Sequence, residues 1–381
     1  MLMPDGTIKS GLELCVADDG TIVSVQEQCT GNKNEESICR LDGLLMPGLI
    51  NAHCHLELSW SKNMYPAKAG MEAFYGAMSG IHGRRPDDAI VQTAIQEAID
   101  ELTNNGTVAV CDISNTQLTL TAKNKSPLHF YTFLECFGTN PAEALIRMKS
   151  VLELQTVFTA QNQPGSLSAH TLFTLSDALM GMLMTKISAD RNVHSIHFME
   201  SLSEKDFFEK KRPVKHVHDQ NNVNTTYNSA SDAACSILPH KNKTLFVHNT
   251  YAEEIDIQKI QHHFSDPWFC LCPASNLYIN DTLPDVPMIL KNTSNIVIGT
   301  DSYSSNTELN LFSEIDILLK AFSSVSAEQL LMAATLNGAE FMGLGSMLGS
   351  FEINKKPGLI GLTDYRPGCR NFSSLKITRF I

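Results

Sequence analysis

The chain is poor in charge, and what charge it has leans to one sign. Only 18% of its 381 residues are Asp, Glu, Lys or Arg, with 41 acidic side chains against 29 basic ones. A formal net charge of −12 argues against a general nucleic-acid binder or a protein held on anionic lipid. No apolar run approaches the ~20 residues a membrane-spanning helix needs. The start, Met1-Leu-Met-Pro-Asp-Gly, lacks a basic segment followed by an apolar one, so no secretory signal is expected. The ten cysteines form no repeating framework, and Cys270-x-Cys272 has no second pair at zinc-ribbon spacing. Reduced, largely buried thiols in a cytoplasmic protein are the expectation. The Gly-rich phosphate turn of a dinucleotide-binding sheet is missing, as is the His-Glu-x-x-His of a metalloprotease.

What is present supports a large core. Hydrophobic residues make up 43% of the chain, enough for one (β/α) barrel with a small appendage. Residues 1 to about 46 read as short β segments, for example Gly11-Leu-Glu-Leu-Cys-Val and Thr21-Ile-Val-Ser-Val. The tail after about 349 reads similarly. Between them strands alternate with helices. Asp87 and Asp88 precede an apolar stripe at Ile90, Val91, Ala94, Ile95, Ala98, Ile99 and Leu102, and the strand Thr107-Val-Ala-Val-Cys-Asp-Ile follows. Helices are expected near 176–188 and 253–263, and Ser326 with Gln329 predicts a capping box for a helix running to about 342. Such alternation implies a parallel sheet and favours a closed eight-fold barrel over a doubly wound open sheet. One segment breaks the rhythm: residues 203–243 are long and polar, either a lid over the active-site face or a plain surface excursion.

The candidate chemistry sits at strand ends. Leu45-Met-Pro-Gly-Leu-Ile-Asn-Ala-His53-Cys-His55 places two imidazoles two residues apart, on one face of an extended strand, with Cys54 facing the other way. Paired imidazoles at the end of a buried strand suit a divalent metal. Glu135 ends Phe130-Tyr-Thr-Phe-Leu-Glu, and His170 ends Ser166-Leu-Ser-Ala-His. His197 and Glu200 end Ser195-Ile-His-Phe-Met-Glu, His248 ends Thr244-Leu-Phe-Val-His, and Asp301 ends Ile296-Val-Ile-Gly-Thr-Asp. In a barrel these ends share one mouth. His216-x-His218 repeats the spacing without an apolar strand before it and reads as solvent-facing. His82, His129, His240, His262 and His263 read as unremarkable too.

The order Pro-Gly-Leu-Ile-Asn-Ala-His-Cys-His, His-x-x-Glu-Ser, His-Asn-Thr, Cys-Pro-Ala-Ser-Asn and Gly-Thr-Asp-Ser resembles the amidohydrolase superfamily over nearly the whole chain. It is most similar to the aminohydrolase branch of cytosine, guanine and adenosine-type deaminases and triazine chlorohydrolases. The resemblance implies an α/β fold, a distorted (β/α)8 TIM barrel over 48–347, with a small β-sandwich built from 1–47 and 348–381. It implies that His53, His55, His197 and Asp301 ligate one divalent metal, zinc or ferrous iron, which readies a water for attack. It makes Glu200 the proton shuttle, His248 a hydrogen-bond partner of the attacking oxygen, and Asp301 a second proton acceptor. His170 takes a substrate contact. Glu135 contacts substrate or supports the ligands, or, in a two-metal hydrolase, bridges the ions. Trp60 lines the pocket or covers the rim. The implied activity is hydrolytic deamination of a heterocyclic amidine (a purine, pyrimidine or modified nucleoside), with cleavage of an amide or cyclic amide as the alternative. The separate zinc deaminases with Pro-Cys-x-x-Cys are excluded, since that motif is absent. The partner is a small molecule, with no nucleic acid and no membrane, and the resemblance admits a homodimer.

Overall fold

A computed structural model describes residues 1–28, 38–217, 223 and 226–380, apart from the side chains of Ser79 and His82. Among the described residues thirteen strands run in chain order: β1 (Leu12–Val16), β2 (Ile22–Glu27), β3 (Gly43–Pro47), β4 (Leu49–Cys54), β5 (Thr107–Ser114), β6 (His129–Cys136), β7 (Gly165–Ala169), β8 (His194–Phe198), β9 (Lys243–His248), β10 (Asp266–Leu271), β11 (Ile296–Ile298), β12 (Leu359–Thr363) and β13 (Lys376–Arg379). Strands β4 to β7 form one parallel sheet and β8 to β11 another, each in chain order.

Backbone and side-chain hydrogen bonds join the two sheets at both seams. Between β7 and β8, the hydroxyls of Ser166 and Ser168 donate to the carbonyls of Val193 and Ser195, and His197 N–H donates to His170 O at 3.0 Å. Between β11 and β4, the N–H groups of Thr300 and Asp301 both donate to His53 O at 3.0 Å. Asn51 reinforces that seam: its Nδ2 donates to Thr300 Oγ1 at 2.8 Å, and its Oδ1 accepts from Thr300 N at 3.2 Å. The eight strands therefore close into the expected barrel, and the doubly wound alternative falls away. Inside the barrel, Ala52, Cys111, Ile113, Phe133, Leu245, Val247, Trp268, Cys270, Cys272 and Val297 pack as one apolar plug beneath the strand ends.

The Pro47-Gly48 turn divides the apolar run 45–54 between two strands. β3 turns away to pair antiparallel with β12, and β4 enters the barrel. β12 also pairs with β13, so strands from both chain ends share one sheet. β1 and β2 pair separately, and their Leu12, Leu14, Val16, Ile22 and Val25 join Leu45, Phe351 and Leu359 in one apolar cluster.

Helices occupy the expected places, at Asp88–Asn104, Asp177–Asp190 and Glu254–His263. The Ser326–Gln329 capping box forms. The helix behind it does not run unbroken to 342 but divides into Ala327–Ala333 and Leu336–Met342. The cause is tertiary: Ala334 O is claimed by Ile50 N–H of β4 at 2.8 Å, which removes it from the helical ladder. In and beside the segment 203–243 lie helices at Leu202–Glu209 and Ala230–Ile237, whereas most of its polar centre, residues 218–222 with 224 and 225, lies outside the described residues. Among the described residues no helix is long and apolar enough to cross a membrane, and the cysteines are free thiols.

Close approach at the β11–β4 seam demands glycine. A Cβ on Gly299 would sit 2.7 Å from His53 Cβ and 2.8 Å from its N and O. Gly299→Ala should destabilise by about 1–3 kcal/mol through overpacking. By contrast Gly181→Ala, on an open face of the helix Asp177–Asp190, should stabilise by about 0.5–1 kcal/mol. Urea unfolding midpoints of the two variants check the pair, and equal shifts would contradict the seam argument.

Candidate metal centre

The mouth of the barrel is built by backbone that few residues tolerate. Met199, His248, Asn249 and Asp301, at or just past the ends of β8, β9 and β11, all have positive φ, between 48° and 77°. Each such residue costs of order 1–3 kcal/mol and persists only where neighbours hold it. They do hold it here. Asn249 N–H donates to Phe198 O at 3.0 Å and its Nδ2 to Phe246 O at 2.8 Å, and Tyr251 N–H donates to Met199 O at 3.0 Å. These kinks end the strands and redirect side chains into one buried space.

That space gathers His53, His55, His197 and Asp301. His55 Nε2 lies 3.1 Å from His53 Nε2 and 3.3 Å from His197 Nε2. Asp301 Oδ1 lies 3.4 Å from His55 Nε2 and 3.8 Å from His53 Nε2. Ligand bonds of about 2.0–2.1 Å at tetrahedral angles place neighbouring donor atoms roughly 3.3 Å apart, so the set has the spacing of a cation's coordination sphere. Its protonation fits as well. Burial, with the neighbouring imidazoles, holds His53 well below the usual histidine range. Burial likewise pushes His55 down to about 3, despite the opposing Asp301 carboxylate. Burial alone would raise Asp301, but His55, His248 and hydrogen bonds from Ser275 and Ser305 bring it down to about 2. Neutral imidazoles and an ionised carboxylate are the forms that bind a metal.

Each group is also aimed from behind. His197 Nδ1 lies 3.0 Å from His170 O, the geometry of a donor to a carbonyl, which leaves Nε2 as the donor atom toward the centre. Glu135 Oε1 lies 3.5 Å from the same Nδ1, and Asn115 Nδ2 donates to Glu135 Oε2 at 3.2 Å. Asp301 Oδ2 accepts from Ser275 Oγ at 2.6 Å and Ser305 Oγ at 2.7 Å. The turn after His55 is tied down by Asp112, whose Oδ1 accepts from Leu56 N–H at 2.8 Å. Asp112 Oδ2 pairs with Lys123 Nζ at 2.6 Å, both side chains fully buried.

Beside this set lies a second pair. Glu200 Oε1 is 3.4 Å from His248 Nε2, and both approach Asp301. Burial, with Asp301, Glu204 and Glu135 adding to it, holds the Glu200 carboxyl well above its usual range. Burial brings His248 down to about 3. The Glu200 backbone is anchored by its N–H to Glu204 Oε2 at 3.1 Å and by Asn280 Nδ2 to its carbonyl at 3.0 Å. His170 stands across the centre, its ring centroid 4.9 Å from that of His197 and its Nδ1 2.9 Å from Thr174 Oγ1.

Trp60 is not brought to this cluster. It lies in the short 3-10 helix Leu56–Ser61 and packs with Val91, Ile95 and Ile99 of the helix Asp88–Asn104, beside an outer groove shared with Glu97, Glu101 and Tyr303. Cys54, between the paired histidines, packs into the same apolar cluster. His129, His216, His240, His262 and His263 are exposed, whereas His218 and the His82 side chain lie outside the described residues. Sequence reasoning passed over Ser275, Asn276, Ser305, Asp112 and Glu204. Ser275 and Asn276 stood in the Cys-Pro-Ala-Ser-Asn motif, but nothing in the spacing said which side chains would face Asp301 or His248.

An eight-stranded parallel barrel with three buried imidazoles and a carboxylate at its carboxyl mouth has the architecture of a barrel hydrolase. The chain belongs to the amidohydrolase family, whose sequence model matches residues 44–372. Among curated proteins it is 26% identical over 332 residues to an adenosine deaminase of Helicobacter pylori, covering 84% of this chain and 78% of that one. It is 25% identical over 344 residues to an aminodeoxyfutalosine deaminase of a Nitratiruptor species, covering 88% and 82%. Among solved structures, Helicobacter pylori aminofutalosine deaminase in complex with methylthio-coformycin aligns with a TM-score of 0.78 at 22% identity, over 96% of this chain and 94% of that one. An adenosine deaminase from Xanthomonas campestris with bound zinc aligns with a TM-score of 0.73 at 20% identity, over 96% and 84%.

The Ser275–Asp301 bond predicts that Ser275→Ala weakens metal affinity about 10–100-fold while the protein stays folded. Competition with a chromophoric chelator measures this, and unchanged affinity would show that Asp301 needs no support from Ser275.

Proposed function

We propose that the protein is a metal-dependent hydrolytic deaminase of a nucleoside whose base carries an amine on an amidine carbon, an adenine-type base before others. The observation that carries the reading is Glu200 paired with His248 beside the His53–His55–His197–Asp301 set. The names of the curated relatives, deaminases of adenosine and aminodeoxyfutalosine, supply the choice of base.

His53, His55, His197 and Asp301 would hold one divalent ion, zinc by preference, as in the Xanthomonas relative, and when bound it supplies water as a nucleophile at neutral pH. The chain's own groups do the rest. Glu200, buried and readily protonated, takes a proton from the attacking water and delivers it to the ring nitrogen next to the amidine carbon. The water oxygen bonds to that carbon, and His248 hydrogen-bonds the oxygen as negative charge builds on it. Asp301 accepts the second water proton, which passes to the exocyclic amine. The carbon–nitrogen bond then breaks, ammonia leaves, and a ring carbonyl remains. His170, its Nδ1 engaged by Thr174 Oγ1, would contact the base through Nε2.

Amide cleavage with two ions draws less support. Glu135 Oε1 lies 3.5 Å from Nδ1 of His197, the ring nitrogen turned away from His55 and already aimed at the His170 carbonyl, and so stands behind the ring and apart from the other ligands. The buried lysine, Lys123, is committed to Asp112 and is not free to bridge.

Glu200→Gln keeps the shape but cannot shuttle a proton. It should retain metal and lose about 10²–10⁴-fold in kcat on adenosine or a 5'-modified adenosine, followed as ammonia release. A variant that keeps its turnover would remove Glu200 from the reaction.

A further inference from the structure

His248 reaches the centre through Nε2, and what that atom can do depends on where the ring's one proton sits. A neutral imidazole carries one N–H and one bare nitrogen, and the partner of the far nitrogen decides which is which. The far nitrogen, Nδ1, lies 3.2 Å from Asn276 Nδ2. The same Asn276 Nδ2 donates to Thr250 Oγ1 at 2.8 Å, so both of its hydrogens have acceptors. Asn276 is fully buried, on the first turns of the helix Pro273–Asn280. Turning its amide over would bring Oδ1 to His248 and Thr250 and leave two buried N–H donors facing the place where Oδ1 now has no partner. Orphaned buried N–H groups are rarer and costlier than a carbonyl left unpaired, which favours the orientation described.

We infer that Asn276 is a positioning residue that fixes His248 as the Nε2–H tautomer, making His248 a hydrogen-bond donor to the reacting oxygen and not a base. Donation from Asn276 requires a bare Nδ1, so the proton is on Nε2, the atom 3.4 Å from Glu200 Oε1. His248 Nε2 has no hydrogen-bond partner within the protein, as a donor held for substrate chemistry would require. Proton traffic then falls to Glu200 and Asp301, and His248 supplies a preorganised dipole. The helix that carries Asn276 is itself fixed, since Glu314 Oε2 accepts from Ala274 N–H at 2.8 Å and Glu314 Oε1 from Asn306 Nδ2 at 2.8 Å. Ser275, next to Asn276, holds Asp301, so one helix start aims two of the groups proposed to react. The functional half of this inference rests on the deaminase reading, whereas the tautomer does not.

Two measurements on zinc-loaded protein test it. In ¹⁵N-histidine-labelled protein, with His248 assigned by its loss in His248→Gln, long-range ¹H–¹⁵N correlation should show a protonated Nε2 and a bare Nδ1. A protonated Nδ1 would overturn the inference. Asn276→Asp is isosteric, and its carboxylate accepts where the amide donated, so the proton should move to Nδ1. That variant should lose about 10²–10³-fold in kcat, with KM and bound metal little changed. A moved proton with full kcat would overturn the catalytic role, as would a loss of kcat that only follows loss of metal. If Asn276→Asp fails to fold, the spectrum of the unaltered protein still decides the tautomer. An Nε2–H tautomer in a protein that releases no ammonia from any aminated base would uphold the Asn276 assignment and overturn the deaminase reading.

Discussion

Three largely buried imidazole nitrogens, 3.1 and 3.3 Å from one to the next, are the constraint on which the rest of the structure depends. Neutral rings in that arrangement point lone pairs at one another, and protonated rings would repel with little screening. A cation at the centre converts both liabilities into bonds. The surrounding groups make sense only as parts of that solution: burial that keeps the rings neutral, Ser275 and Ser305 that keep Asp301 ionised, and the His170 carbonyl that turns His197.

Holding four side chains at that spacing requires a rigid frame, and the barrel provides it at its seams. His53 O accepts two N–H groups from the β11 end, one of them from Asp301 itself, so the first and last of the candidate ligands in chain order share a hydrogen bond. Gly299 lets the two strands come that close. At the opposite seam, serine hydroxyls replace part of the β7–β8 ladder, and His197 N–H is tied to His170 O. The positive φ angles at Met199, His248, Asn249 and Asp301 concentrate strain where the site is and nowhere deeper in those strands.

The elements that could be read in the sequence were those governed by local rules. Strand alternation put His53 and His55 on one face and sent Cys54 into packing, and the run of strand ends placed Glu200, His248 and Asp301 together. The Ser326–Gln329 box was legible because capping is settled within four residues. What stayed hidden was decided across the fold. The break after Ala333 depends on Ile50 of β4, far away in the chain. Trp60 packs against the helix Asp88–Asn104, a contact that no spacing encodes. Ser275 and Asn276 could be seen as a motif, but their targets, Asp301 and His248, lie 26 and 28 residues away and are chosen by the barrel's closure.

In the function we propose, one ion held by three histidines and an aspartate serves a water-dependent removal of an amine. Titrating metal-free protein with zinc while following ammonia release from adenosine and 5'-modified adenosines tests it most directly. Activity should rise in proportion to added zinc and break at one ion per chain. Activity that needs a second ion, or no ammonia from any aminated base at full loading, would contradict it.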